Sequence, residues 1–106
     1  MIFGFTTDER TLHVFADEAK ACSYAEGIDV EDGVWLFFGE DGRPLEPSFT
    51  KPNQRSRYSV ASGAFCLTPS ASSEKHRLLD LLPSVSAVEG EVGSVEAVRQ
   101  LLTTAR

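Results

Sequence analysis

The side chains in this sequence with the most chemical potential are carboxylates. Glu26, Asp29, Glu31 and Asp32 fall within seven residues, and Glu40 and Asp41 follow shortly after. Carboxylates at such spacing can ligate a hard cation, act as a general acid and base, or attract a cationic partner. The first option fits poorly. Asp29-Val30-Glu31-Asp32-Gly33 resembles a calcium loop, but an EF-hand needs glycine at its sixth position and a bidentate Glu at its twelfth. Here Gly33 comes fifth, and Glu40 reaches position twelve only across the apolar run Val34–Phe38. Acid–base catalysis needs a neighbour that shifts a carboxylate's pKa, and the sequence offers only clusters that read as exposed.

Other chemistries lack their parts. His13 and His76 are the only histidines, and neither has a Cys or carboxylate at zinc-type spacing. His76 stands between Lys75 and Arg77 and reads as solvated, and His13 reads as a packed or edge strand residue rather than a base. Cys22 and Cys66 form no CxxC pair and read as small buried apolar residues, kept reduced in a cytoplasmic setting. There is no Gly-x-Ser-x-Gly elbow and no Gly-rich loop before a helix to cradle a phosphate. Ser56, Ser59 and Ser62 read as ordinary loop and strand serines. No catalytic residue, metal ligand or cofactor is expected.

The elements that must position the carboxylates follow from hydrophobic pattern and turn residues. Met1–Thr7 and Thr11–Phe15 read as a hairpin, with Leu12 and Val14 on one face and Thr11, His13 and Phe15 on the other. Ala16–Glu26 is alanine-rich and reads as a helix, with Gly27 as its C′ residue. Ile28–Gly33 reads as an acidic connection. Val34–Phe38 reads as a central strand buried on both faces. Asp41-Gly42 marks a turn, and Pro44 and Pro47 make Pro44–Thr50 an edge or irregular strand. Lys51–Ser56 reads as a polar loop. Arg57–Val60 and Ala64–Thr68 read as a second hairpin turning at Ser62-Gly63. Ser70–Ser73 offers N-caps to a helix carrying Leu78, Leu79, Leu81 and Leu82 and ending at Pro83. Val85–Glu89 reads as a short strand, and Ser94 caps a last helix bearing Val95, Val98, Leu101 and Leu102. This order predicts a single α+β domain over 1–106, with a mostly antiparallel sheet of about five to seven strands and three helices.

The 106 residues, 42% hydrophobic and 25% charged, suit one globular core rather than a disordered chain. No apolar run approaches the roughly 20 residues that span a bilayer. Met1–Phe5 is apolar without a basic flank, so no signal peptide and no membrane partner are expected. The net charge of −6 is unevenly spread: residues 1–50 hold 11 acidic and 3 basic side chains, and residues 51–106 hold 5 and 7. An acidic half disfavours direct contact with nucleic acid, whose phosphates demand Lys and Arg. It favours a basic protein partner, whose encounter its field accelerates.

Two stretches carry a resemblance. Tyr24-Ala25-Glu26-Gly27-Ile28-Asp29-Val30-Glu31-Asp32-Gly33 with Trp35–Phe38 is the first. The second is Asp41-Gly42-Arg43-Pro44-Leu45-Glu46-Pro47-Ser48-Phe49-Thr50-Lys51-Pro52-Asn53. Together with the Leu-rich helix, Val88-Glu89-Gly90 and the last helix, they resemble small immunity proteins of contact-dependent growth inhibition systems, the kind paired with ribonuclease toxins. The resemblance implies a cytoplasmic, non-enzymatic monomer that binds the C-terminal toxin domain of a large adhesin one to one and blocks its cationic active site. It supplies no residue map. On charge and expected exposure, Glu26, Asp29, Glu31, Asp32, Glu40 and Asp41 are the expected partner-binding residues. A housekeeping protein-interaction domain and a small hydrolase are the alternatives the residues leave open.

Overall fold

The chain begins as an antiparallel hairpin in which β1 (Ile2–Thr6) pairs with β2 (Thr11–Phe15), Phe3 opposite Val14 and Phe5 opposite Leu12. Alternation then sorts the side chains. Phe3, Phe5, Leu12 and Val14 enter one core, while Ile2 and Phe15 pack against another on the opposite face. The structure is a computed structural model and describes residues 1–55, 60–70 and 77–104.

β3 (Trp35–Phe38) lies on the other side of β1, also antiparallel, with Phe3 opposite Phe38 and Thr6 opposite Trp35. β4 (Pro44–Lys51) pairs with β3 and then with β7 (Ala64–Pro69). β8 (Ala87–Gly90) joins β2 in parallel and completes a six-stranded sheet of order β7-β4-β3-β1-β2-β8. β5 (Gln54–Arg55) and β6 (Val60–Ala61) form a separate two-stranded ribbon.

Helices cover both faces. α1 (Glu18–Tyr24) and α2 (Gly27–Glu31) lie over one face, where Ala21, Ala25 and Val30 meet Trp35, Phe37, Phe65 and Leu67. α3 (Leu78–Leu81), a 3₁₀ turn (Leu82–Ser84) and α4 (Val95–Thr104) lie over the other, where Leu78, Leu82, Val98 and Leu102 meet Phe3, Phe5, Leu12, Val14 and Phe38. The Asp17 carboxylate caps α1 by accepting from Lys20 N–H at 2.8 Å, and the Ser94 hydroxyl accepts from Ala97 N–H at 3.2 Å ahead of α4. The result is the expected α+β domain with a mostly antiparallel sheet.

Several local expectations fail for identifiable reasons. The acidic connection is partly helical: α2 is a single short turn, too brief to show a period, anchored by buried Val30. It makes four α-helices among the described residues rather than three. Gly27 is therefore the first residue of α2 and not a helix terminator. Pro44–Lys51 is one eight-residue strand, flanked by β3 at Pro44–Leu45 and, as the prolines led one to expect, edge-like and irregular beyond, with β7 alone beside it and a register shift between Phe49 and Lys51. It tolerates proline because β3 pairs with it only as far as Leu45, so Pro47 faces a ladder on one side alone. β7 pairs with β4, and β6 (Val60–Ala61) pairs with β5; the strand expected at Arg57–Val60 falls mostly on residues 56–59, which lie outside the described ones. α3 begins at Leu78, where the Asp80 carboxylate accepts from Arg77 N–H at 3.2 Å. Of the expected caps, Ser72 and Ser73 lie outside the described residues, as does His76. Leu36 is 41% exposed, so β3 is central yet not buried along its whole length.

Candidate functional site

Gly4 creates the platform for the site. It sits in β1 between His13 of β2 and Phe37 of β3. Lacking a side chain, it lets aromatic rings settle onto the sheet: a Cβ there would stand 2.8 Å from Trp35 Cζ3 and 3.1 Å from Phe15 Cε2. His13, Phe15, Tyr24 and Trp35 form a four-ring cluster whose centroid separations run from 5.0 Å (His13–Trp35) to 6.3 Å (Phe15–Trp35). Phe37 stacks on Trp35 at 5.6 Å and 5°, extending the aromatic row into the core. Tyr24, the last residue of α1, stands edge-on to Trp35 and is 59% exposed.

A hollow of about 270 Å³ opens beside this cluster, with His13, Tyr24 and Trp35 among its walls. Four carboxylates from three elements ring it: Asp8 and Glu9 from the β1–β2 turn, Asp29 from α2 and Glu89 from β8. No Lys or Arg is among the described residues lining it. A second hollow of similar size shares His13, Tyr24 and Glu89, and adds Phe15, Lys20 and Glu91.

Backbone hydrogen bonds bring these distant carboxylates together. Val34 N–H donates to Asp29 C=O at 3.0 Å, and Thr7 N–H donates to Val34 C=O at 2.8 Å, which ties the end of α2 to the β1–β2 turn. Ser86 N–H donates to Arg10 C=O at 2.8 Å, and the Ser86 hydroxyl donates to Glu9 C=O at 2.8 Å, which fixes the approach to β8. On the far side of α2, Asn53 acts as a clamp. Its Nδ2 donates to Gly27 C=O at 3.0 Å, and its Oδ1 accepts from Gly63 N–H at 2.7 Å. Gly27 is the residue that fits there, since a Cβ would lie 2.6 Å from Asn53 Oδ1.

The expected binding residues divide between the two ends of β3. Glu26, Asp29, Glu31 and Asp32 precede it, and of these Asp29 lines the hollow. Glu26 is the exposed residue before α2, with its C=O accepting from Val30 N–H at 3.0 Å. Glu31 and Asp32 are exposed at the end of α2. Glu40 and Asp41 lie in the turn after β3, away from the hollow, and Asp41 serves the turn itself: its carboxylate accepts from Arg43 N–H at 3.0 Å and pairs with the Arg43 guanidinium at 3.4 Å. The structure adds Asp8, Glu9, His13, Tyr24, Trp35 and Glu89 to the site. Their types were visible in the sequence, but their convergence depends on β2 pairing with β8, and no local signal announces that pairing.

His13 is the titratable group inside the cluster. Burial pushes its pKa below 6.5, and the opposing pull of Glu89 and Glu9 does not overcome this. Its Nδ1 lies 3.7 Å from Glu89 Oε2. At neutral pH the imidazole is uncharged, so this contact is not a formed ion pair and His13 does not offset the carboxylates. Burial also pushes the Cys22 thiol up, with Glu18 and Cys66 adding to the effect, which makes it a poor nucleophile. Among the described residues no three His, Cys, Asp or Glu side chains converge closely enough to hold a metal ion, and no helix is long and apolar enough to cross a membrane.

Comparison with family models, curated proteins and solved structures finds no match to the chain. The chemistry of the site therefore rests on its own residues. Ring faces attract cations through their quadrupole, and carboxylates reinforce that attraction where water is partly excluded. The arrangement suits recognition of a positive group.

Proposed function

We propose that the chain is a cytoplasmic immunity protein that binds the C-terminal, ribonuclease-type toxin domain of a contact-dependent inhibition adhesin and neutralises it by occupying its cationic active site. It acts one to one and stoichiometrically, with no turnover of its own. A nuclease cleft built for phosphates is rich in Lys and Arg, and an acidic inhibitor presents carboxylates where the RNA backbone would lie. The observation that carries this reading is the four-carboxylate hollow beside the aromatic cluster, with no cation among its described lining residues. The family resemblance of the sequence gives that cationic partner its identity as a toxin.

The test is co-expression with the polypeptide encoded immediately upstream. The expected outcome is a stable complex of nanomolar affinity that weakens as salt rises, and protection of cells that express the upstream C-terminal domain. Absence of both complex and protection would remove the reading.

A further inference from the structure

We infer that the hollow between Tyr24, Trp35 and Glu89 receives a single arginine side chain from the protein partner. This rests on the reading of the chain as a binder of a basic protein and specifies the chemistry of its central contact.

Size comes first. At about 270 Å³ the hollow has room for one long side chain. Charge comes second. Asp8, Glu9, Asp29 and Glu89 line the hollow, yet they do not converge into a cluster that could hold a metal ion. Carboxylates spread around a rim suit a broad, delocalised cation better than a point charge. Ring chemistry comes third. Tyr24 supplies the accessible ring and the nearly buried His13 and Trp35 stand behind it, and a planar guanidinium stacks on such a ring while its five N–H donors fan out to surrounding oxygens. An ammonium group has neither the plane nor the fan, so lysine binds more weakly. Accessibility comes last: Tyr24 is 59% exposed at the rim, so the arginine can enter without opening the core.

Trp35 is the chain's one tryptophan, so its fluorescence reports on the hollow directly. The probe is Nα-acetyl-arginine methylamide, compared with the matching lysine and citrulline compounds. Citrulline has nearly the same shape and no charge. The expected result is a saturable fluorescence change with arginine, a several-fold weaker one with lysine and none with citrulline. Glu89→Gln and Asp29→Asn should each weaken arginine binding at least threefold, while Glu96→Gln on α4, on the other face of the sheet, leaves it unchanged. Equal responses to arginine and citrulline, or to arginine and lysine, would overturn the inference, as would unchanged binding by Glu89→Gln and Asp29→Asn.

The upstream-encoded domain then separates the two levels of the reading. If it binds wild type and a Tyr24→Ala/Glu89→Gln variant equally, the arginine hollow is overturned and the immunity reading stands. If it does not bind wild type, the immunity reading falls, and the arginine titration alone judges the hollow. Retained thermal melting of each variant, expected because Tyr24 and Glu89 are exposed, assigns any loss to binding.

Discussion

His13 shows how one residue can couple the site to acidity. Its folded-state pKa lies below 6.5, so the unfolded chain takes up a proton more readily than the native one. Stability should therefore fall as pH drops below 6.5 and level off once pH passes below the folded-state value. The groups that meet His13 from neighbouring elements are Glu9 in the β1–β2 turn, Glu89 on β8 and Tyr24 on α1, with Lys20 across the second hollow. Urea unfolding of wild type and His13→Gln at about pH 8 and about pH 5.5 checks this. Wild type should lose more stability across the interval; equal losses would remove His13 as the cause. Protonation would also place a positive charge against an incoming cation and weaken its binding. The sequence placed His13 correctly, on the face of β2 opposite Leu12 and Val14. It did not reveal the neighbours, because Glu89 lies in a parallel strand late in the chain.

Elements were legible where their pattern was long or their punctuation strong. The first hairpin, α1, β3 and α4 all carry alternation, an alanine run, an unbroken apolar stretch or a heptad-like stripe. Elements defined by a remote partner were not. β7 follows β6 in sequence, yet it pairs with β4, and no local signal announces that partner. α2 is the most consequential miss, since it carries Asp29 into the hollow. Its hold on the fold runs through Asn53, which joins Gly27 to Gly63. Asn53→Ala leaves a C=O and an N–H without that partner and should cost about 1–3 kcal/mol. For a domain this size each kcal/mol lowers Tm by roughly 4–8 °C. An unchanged melting curve would mean that Val30 packing and the Val34 N–H bond to Asp29 C=O suffice to hold α2.

At the scale of the whole molecule, the division into acidic and basic halves was read correctly as a count but not as a surface. β8 belongs to the net-positive half of the sequence, yet it contributes Glu89 to the acidic hollow. The field a partner meets is set by the fold, not by position along the chain. Reversing Asp29, Glu31 and Asp32 to Lys adds six positive charges to a net −6 and removes the long-range attraction. Association with a basic partner should slow by at least about tenfold at low salt, with a smaller change in dissociation. The gap should close as the Debye length shortens to about 3 Å near 1 M salt. Stopped-flow rates across a salt series test this, and an association rate indifferent to the triple reversal would contradict it.

The parallel pairing of β2 with β8 also has a consequence in time. Ser86, which holds the β1–β2 turn, lies 77 residues after Glu9. At about 5–20 residues per second of synthesis, roughly 4–15 s separate the emergence of these two ends from the ribosome. The hairpin carrying His13 can form early, but the hollow cannot close around it until β8 has left the ribosome. During that interval the carboxylates of the β1–β2 turn stand without Glu89, and the edge of β2 that β8 later covers is open to other strands.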